Sequence, residues 1–149
     1  MLFRSMRGEH VEDIFNRNSL TIWDKRRDQT IGFSLMIDDE VYKYELTVEY
    51  ANQEDKQRIK REELIWKDST FFLFDGQEAH LYRINWNTRK TEEGAVFPAK
   101  WGRSVIPTIA QRDDNKPLIR FREELEKILL IQPVQIGRAS CRERVSSPV

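Results

Sequence analysis

Several groups of side chains invite a chemical reading. The run Phe33-Ser-Leu-Met-Ile-Asp-Asp-Glu40 has the outline of a hydrophobic strand ending in two acids, the arrangement that holds Mg²⁺ in many nucleotide hydrolases. Such a site also needs a phosphate cradle, and no G-x-x-x-x-G-K-[ST] occurs in the chain. An alternating strand resumes at once after Val41, so the acids are expected to form a solvated hairpin turn. Glu62 with Glu63, or Glu9 with Glu12 and Asp13, could supply a general acid and base. Adjacent strand residues point to opposite faces, however, and surface helices are rich in carboxylates, so neither group singles out a catalytic pair. His10 and His80 are the two imidazoles, and neither stands at i, i+3 or i+4 from a second His or a Cys. Surface or packing roles are expected for both. No G-x-S-x-G elbow is present. The residues by themselves assign no catalytic side chain and no metal ligand.

A nucleic-acid face is a separate candidate. Lys25-Arg26-Arg27 and Arg58, Lys60 and Arg61 are local basic groups, and Tyr42, Tyr44, Tyr50 and Trp66 lie on nearby strands where bases could stack. The competing expectation is that Asp24, Asp28, Glu62 and Glu63 neutralise these cations while the aromatic rings fill the core. The charge balance favours it, since 25 Lys and Arg match 25 Asp and Glu.

The elements that would position these groups follow from periodicity. Leu2, Phe3, Met6, Val11, Ile14 and Phe15 have helical spacing interrupted near Gly8, which predicts two short helices. At Thr30 the period changes. Ile31, Phe33, Leu35 and Ile37 occupy every second position, and after Asp38-Asp39-Glu40 so do Tyr42, Tyr44, Leu46, Val48 and Tyr50, which predicts a hairpin. Arg58 to Trp66, Thr70 to Phe74 and His80 to Trp86 are further strands, with Asp75-Gly76 as a tight turn. Trp86 to Gly102 carries Asn85 and Asn87 nearby, Gly94 and Pro98, so the sheet is expected to end there, with at most a brief pairing of Ala95 to Phe97. Asn115 is placed to cap a helix by accepting a bond from its first amides, with Pro117 in the first turn and Leu118, Phe121, Leu125, Ile128 and Leu129 as its apolar stripe. The fold class is α+β: an antiparallel meander of four to six strands, short N-terminal helices and one C-terminal amphipathic helix.

At 149 residues the chain is long enough for one core. The longest aliphatic run, Ile128 to Ile131, is far below the roughly 18 apolar residues of a membrane span, and residues 1–20 lack a signal-peptide core. A cytoplasmic location and no membrane partner are expected. The lone Cys141 excludes an internal disulfide and a zinc site built on several thiolates. Residues 136–149 differ from the rest. Ile136-Gly-Arg-Ala-Ser-Cys-Arg-Glu-Arg-Val145 resembles one reading frame of a common DNA sequencing adapter, and the segment has no hydrophobic period. It is expected to be a disordered tail of artefactual origin, or alternatively a basic tail for an acidic partner. Without its three Arg and one Glu, 22 basic side chains face 24 acidic ones, and residues 1–135 form the domain proper. An adapter-derived end implies that the natural chain continues past Gln135.

The order Phe3-Arg-Ser-Met-Arg-Gly-Glu-His-Val-Glu-Asp-Ile-Phe-Asn-Arg17, then Val41-Tyr-Lys-Tyr-Glu-Leu46, Ile59-Lys-Arg-Glu-Glu-Leu-Ile65 and Leu73-Phe-Asp-Gly76, resembles bacterial AAA-type ATPases of the ABC class, relatives of RecF, SMC and the overcoming-lysogenisation-defect nucleases. The resemblance covers residues 1 to about 135 and rests on spacing and strand order. It implies that this chain is the antiparallel β lobe following the phosphate-loop helix. The phosphate loop, signature helix and acidic Mg²⁺ strand would then lie outside it. It further implies a parent that binds ATP and Mg²⁺ between two head domains, as a homodimer, and acts on DNA in maintenance or defence. The fragment's partner would be the remainder of the nucleotide-binding domain. The resemblance also sets Gln132, beside Pro133, where such ATPases carry a glutamine approaching the Mg²⁺ site, and Gln132 is the one cofactor-binding candidate it supplies. A polar residue closing an element before a proline is the plainer reading of Gln132. The fragment alone is expected to be inactive. The alternative is a stand-alone β-rich module that binds single-stranded nucleic acid or a protein.

Overall fold

Alternating polar and apolar side chains build most of this chain into a single sheet. The computed structural model describes residues 5–14, 27–50 and 57–129. Its strands are β1 (Asp28–Ile37), β2 (Glu40–Tyr50), β3 (Gln57–Trp66), β4 (Ser69–Phe74), β5 (Glu78–Asn85) and β6 (Lys90–Pro98). They form one antiparallel meander in sequence order. Helix α1 (Val11–Ile14) precedes the sheet, and helix α2 (Lys116–Leu129) follows it after a 3-10 turn at Ile106–Thr108. The fold is therefore α+β, as the periodicity predicts. Only the second of the two expected N-terminal helices can be delimited, because residues 1–4 lie outside the described segments.

The turns explain why the strands reverse where they do. Asp38 and Asp39 both have positive φ (49° and 63°), as do Lys67 and Asp68 (49° and 60°), and each pair closes a two-residue hairpin in the twist-matched geometry. At the next turn Gly76 takes φ +97°, and a Cβ there would stand 3.2 Å from the Lys60 carbonyl oxygen. The Asp75 carboxylate accepts the Gln77 and Glu78 amides at 2.9 and 2.8 Å, and those bonds hold its pKa below the usual value.

The sheet is longer than its sequence suggests. The turn-forming residues after β5 act only locally: Asn85 Oδ1 accepts the Asn87 and Thr88 amides, and Arg89 has φ +55°. Lys90–Pro98 then pairs with β5 as a full edge strand. Gly94 is accommodated because the register shifts between His80 and Tyr82, bringing the Leu81 carbonyl so close that a Cβ would lie 2.6 Å from its oxygen. Pro98 is tolerated as the last residue of an edge strand.

One apolar cluster unites the elements. Tyr42, Tyr44, Leu46 and Val48 of β2 join Ile59 and Leu64 of β3, Phe72 and Phe74 of β4, and Ala79, Leu81 and Ile84 of β5. Met6, Val11 and Ile14 belong to it, as do Val105, Ile106 and Ile109 from the connection between β6 and α2. Helix α2 contributes Leu118, Ile119, Phe121 and Leu125, and the Phe121 ring lies 5.6–5.9 Å from the rings of Phe33, Tyr42 and Tyr44. Ile128, part of the predicted stripe, is instead exposed.

Asn115 precedes α2, but its side chain faces the other way from the predicted cap. Its Oδ1 accepts the Arg112 amide at 2.7 Å and its Nδ2 donates to the Ala110 carbonyl at 2.9 Å. The residue is buried, so its amide serves the loop folded beneath it. Among the described residues no helix is long and apolar enough to cross a membrane.

Candidate functional site

The acids flagged by the sequence go to separate places. Asp38 and Asp39 are turn residues, and Asp38 accepts Arg120 Nη2 from α2 at 2.6 Å. Glu40 accepts the Trp66 indole N–H and Lys67 Nζ, each at 2.7 Å. Burial pushes the Glu40 carboxyl up, but those bonds and the Lys67 charge together hold it below the usual value. The Asp-Asp-Glu run is thus a pinned hairpin turn, as strand alternation implies.

Glu62 and Glu63 point to opposite sides of β3, and both are buried, with different partners. Glu63 bonds Arg61 at 2.7 Å and Thr70 Oγ1 at 3.0 Å. Glu62 is completely buried. Its Oε1 accepts the Tyr44 hydroxyl at 2.8 Å and the Ser104 hydroxyl, and its Oε2 accepts the Val105 amide at 3.0 Å. Burial raises the Glu62 pKa, and the three donors only partly oppose that shift. Burial and the neighbouring Glu62 charge also push the Tyr44 phenol well above its ordinary value. This cluster ties the connection after β6 to the middle of the sheet. It is a structural tether closed to substrate.

The proposed stacking face is occupied. Tyr42, Tyr44 and Tyr50 are buried, and burial with the nearby Glu40 carboxylate pushes the Tyr42 phenol up to about 12. Trp66 carries the Lys67 ammonium 4.7 Å from its ring centroid. Arg58 pairs with Glu49, Lys60 with Asp28 and Arg61 with Glu63. Residues 25 and 26 lie outside the described segments, as do Gln132 and Cys141. His80 stands between Asp75 at 3.8 Å and Glu93 at 3.5 Å. No group of three or more potential metal-ligating His, Cys, Asp or Glu side chains occurs among the described residues.

A concavity lies elsewhere, where the chain leaves β6. It encloses about 650 Å³ and is lined by His10, Ala99, Lys100, Trp101, Gly102 and Arg103. Backbone bonds fix its floor: Ile59 N–H donates to the Trp101 carbonyl at 2.8 Å, Val11 N–H to the Gly102 carbonyl at 2.7 Å, and His10 bridges Arg103. A Cβ on Gly102 would stand 2.6 Å from His10 Nε2, so only glycine lets the imidazole lie against this loop. His10 Nδ1 is buried without a hydrogen-bond partner, with Glu12 Oε2 at 3.9 Å. The turn-forming residues of 86–102 mask this loop in the sequence. The visible signal was a tryptophan flanked by cations in Lys100-Trp-Gly-Arg103.

Comparison of the chain with protein-family models, curated proteins and solved structures finds no match.

Proposed function

We propose that this chain is the antiparallel β lobe of an ATP-hydrolysing protein of the AAA/ABC type that acts on DNA. The observation that carries the reading is topological: a short helix, then an uninterrupted antiparallel meander, then an amphipathic helix on its apolar face. That order is the one the resemblance implies for residues 1–135. In this reading ATP and Mg²⁺ bind the remainder of the nucleotide-binding domain, which supplies the phosphate loop absent from this sequence. Gln132 approaches that site, and two heads dimerise around it. The lobe positions and braces, while bond cleavage belongs to the missing parts, in a cytoplasmic protein.

Two measurements test this. The source gene should encode a phosphate loop, in frame, a few dozen residues before Met1. The purified chain should hydrolyse no ATP, whereas the chain joined to that upstream segment and to the natural sequence after Gln135 should do so. ATP turnover by the 149 residues alone, or a gene without a phosphate loop, would overturn the proposal.

A further inference from the structure

We propose that the cavity formed by His10, Lys100, Trp101, Gly102 and Arg103 binds one nucleotide unit, its base stacked on the Trp101 indole and its phosphate held by Lys100 and Arg103. This inference is independent of the ATPase reading, which concerns turnover at a site outside this chain.

Arg58, Lys60, Arg61, Lys67, Arg120 and Lys127 each have a carboxylate partner. Lys100 and Arg103 have none among the described residues, and the described lining of their cavity contains no acid. Two other cavities among the described residues carry their own acids, Glu93 and Asp114 beside Arg83 and Arg112 in one, and Glu49 and Asp75 beside Arg58 and Lys60 in the other. Of these three, the first alone sets two cations in a described lining without an acid, where an anion would meet their charge.

Trp101 is 42% exposed between the two cations, although its backbone is bonded into the fold through Ile59. An exposed indole on a fixed loop offers a flat face for a base, and stacking tolerates every base. Because the loop's carbonyls are already bonded by the Val11 and Ile59 amides, little ordering remains to be done on binding. The volume falls within the range of small-ligand sites. An acidic peptide would satisfy the cations but not the ring, which is why a nucleotide is the better fit.

The test measures binding of labelled (dT)12 by anisotropy, and of dTMP by calorimetry, to the full chain and to its variants. Lys100→Gln/Arg103→Gln should weaken (dT)12 binding at least tenfold and reduce the salt slope of log K by about 1.4, for two single-strand phosphate contacts at about 0.7 each. Trp101→Ala should weaken it about tenfold, while Trp101→Phe retains most of it. The charge variant alters only exposed side chains, so it decides the matter even if Trp101→Ala fails to fold. Binding of dTMP with the same dependence on these residues identifies a free nucleotide as the source, and binding of (dT)12 alone identifies a strand. Either outcome supports the site. Absence of binding by both probes, oligonucleotide binding that survives the charge variant, or equal binding of a decamer of glutamate, overturns it.

Discussion

Replacing Glu62 by Gln and by Ala separates the charge of the buried carboxylate from its hydrogen bonds. Glutamine has nearly the same shape and can satisfy the site. Its carbonyl can take the place of Oε2 and accept the Val105 amide, while its NH₂ group donates to Tyr44 and Ser104, whose hydroxyls rotate to accept. Glu62→Gln should therefore stay within about 1 kcal/mol of the wild type at neutral pH, since lost charge-assisted bonds are offset by relief from burying a charge. Alanine leaves the Val105 amide and a cavity, for an expected loss of about 3–5 kcal/mol. The two proteins should also differ in pH dependence. The folded-state pKa of Glu62 lies above its unfolded value, so the native state binds the extra proton in the interval between them. Wild-type stability from this group is greatest below the unfolded value near 4.5 and falls as pH rises towards the folded value, by about 1.4 kcal/mol per unit of separation. Glu62→Gln removes that dependence. Asp75 and Glu40 have lowered pKa values, so their contribution is lost as pH falls through their folded values, below the Glu62 window. Urea unfolding followed by circular dichroism at several pH values from 4.5 to 8 measures the difference. If Glu62→Gln is as damaging as Glu62→Ala, or if its stability relative to wild type does not rise with pH, the argument about the buried charge is wrong.

Other substitutions test the packing. Gly94→Ala should destabilise by about 1–3 kcal/mol in thermal melts, because the added Cβ meets a backbone carbonyl at 2.6 Å, whereas Gly102→Ala should cost less, since it meets an imidazole that can turn away. Phe121→Ala removes the ring that contacts Phe33, Tyr42 and Tyr44, and should cost about 3–5 kcal/mol in urea unfolding. Glu49→Gln breaks an ion pair with the exposed Arg58 and should change stability by less than about 1 kcal/mol in the same assay.

Local pattern carried far in this chain. Strict alternation in Ile31 to Ile37 and Tyr42 to Tyr50 determined both strands and the face each buries, because the side-chain period of a strand is two. The aspartates between them marked a turn, and the apolar spacing after Asn115 marked α2. What local pattern could not express was where a polar group finds its partner. Glu62 reads as one of two adjacent acids, and only the return of the chain past β6 brings Ser104 and Val105, more than forty residues away, onto its carboxylate. Asn115 reads as a cap until the loop from Ala110 to Arg112 folds close enough to take its amide. Gly94 and Pro98 read as breakers, and edge position in the sheet made them tolerable. The cavity beside Trp101 likewise depends on His10 meeting Gly102 across ninety-two positions of sequence, a distance over which the order of residues constrains nothing until the sheet has formed.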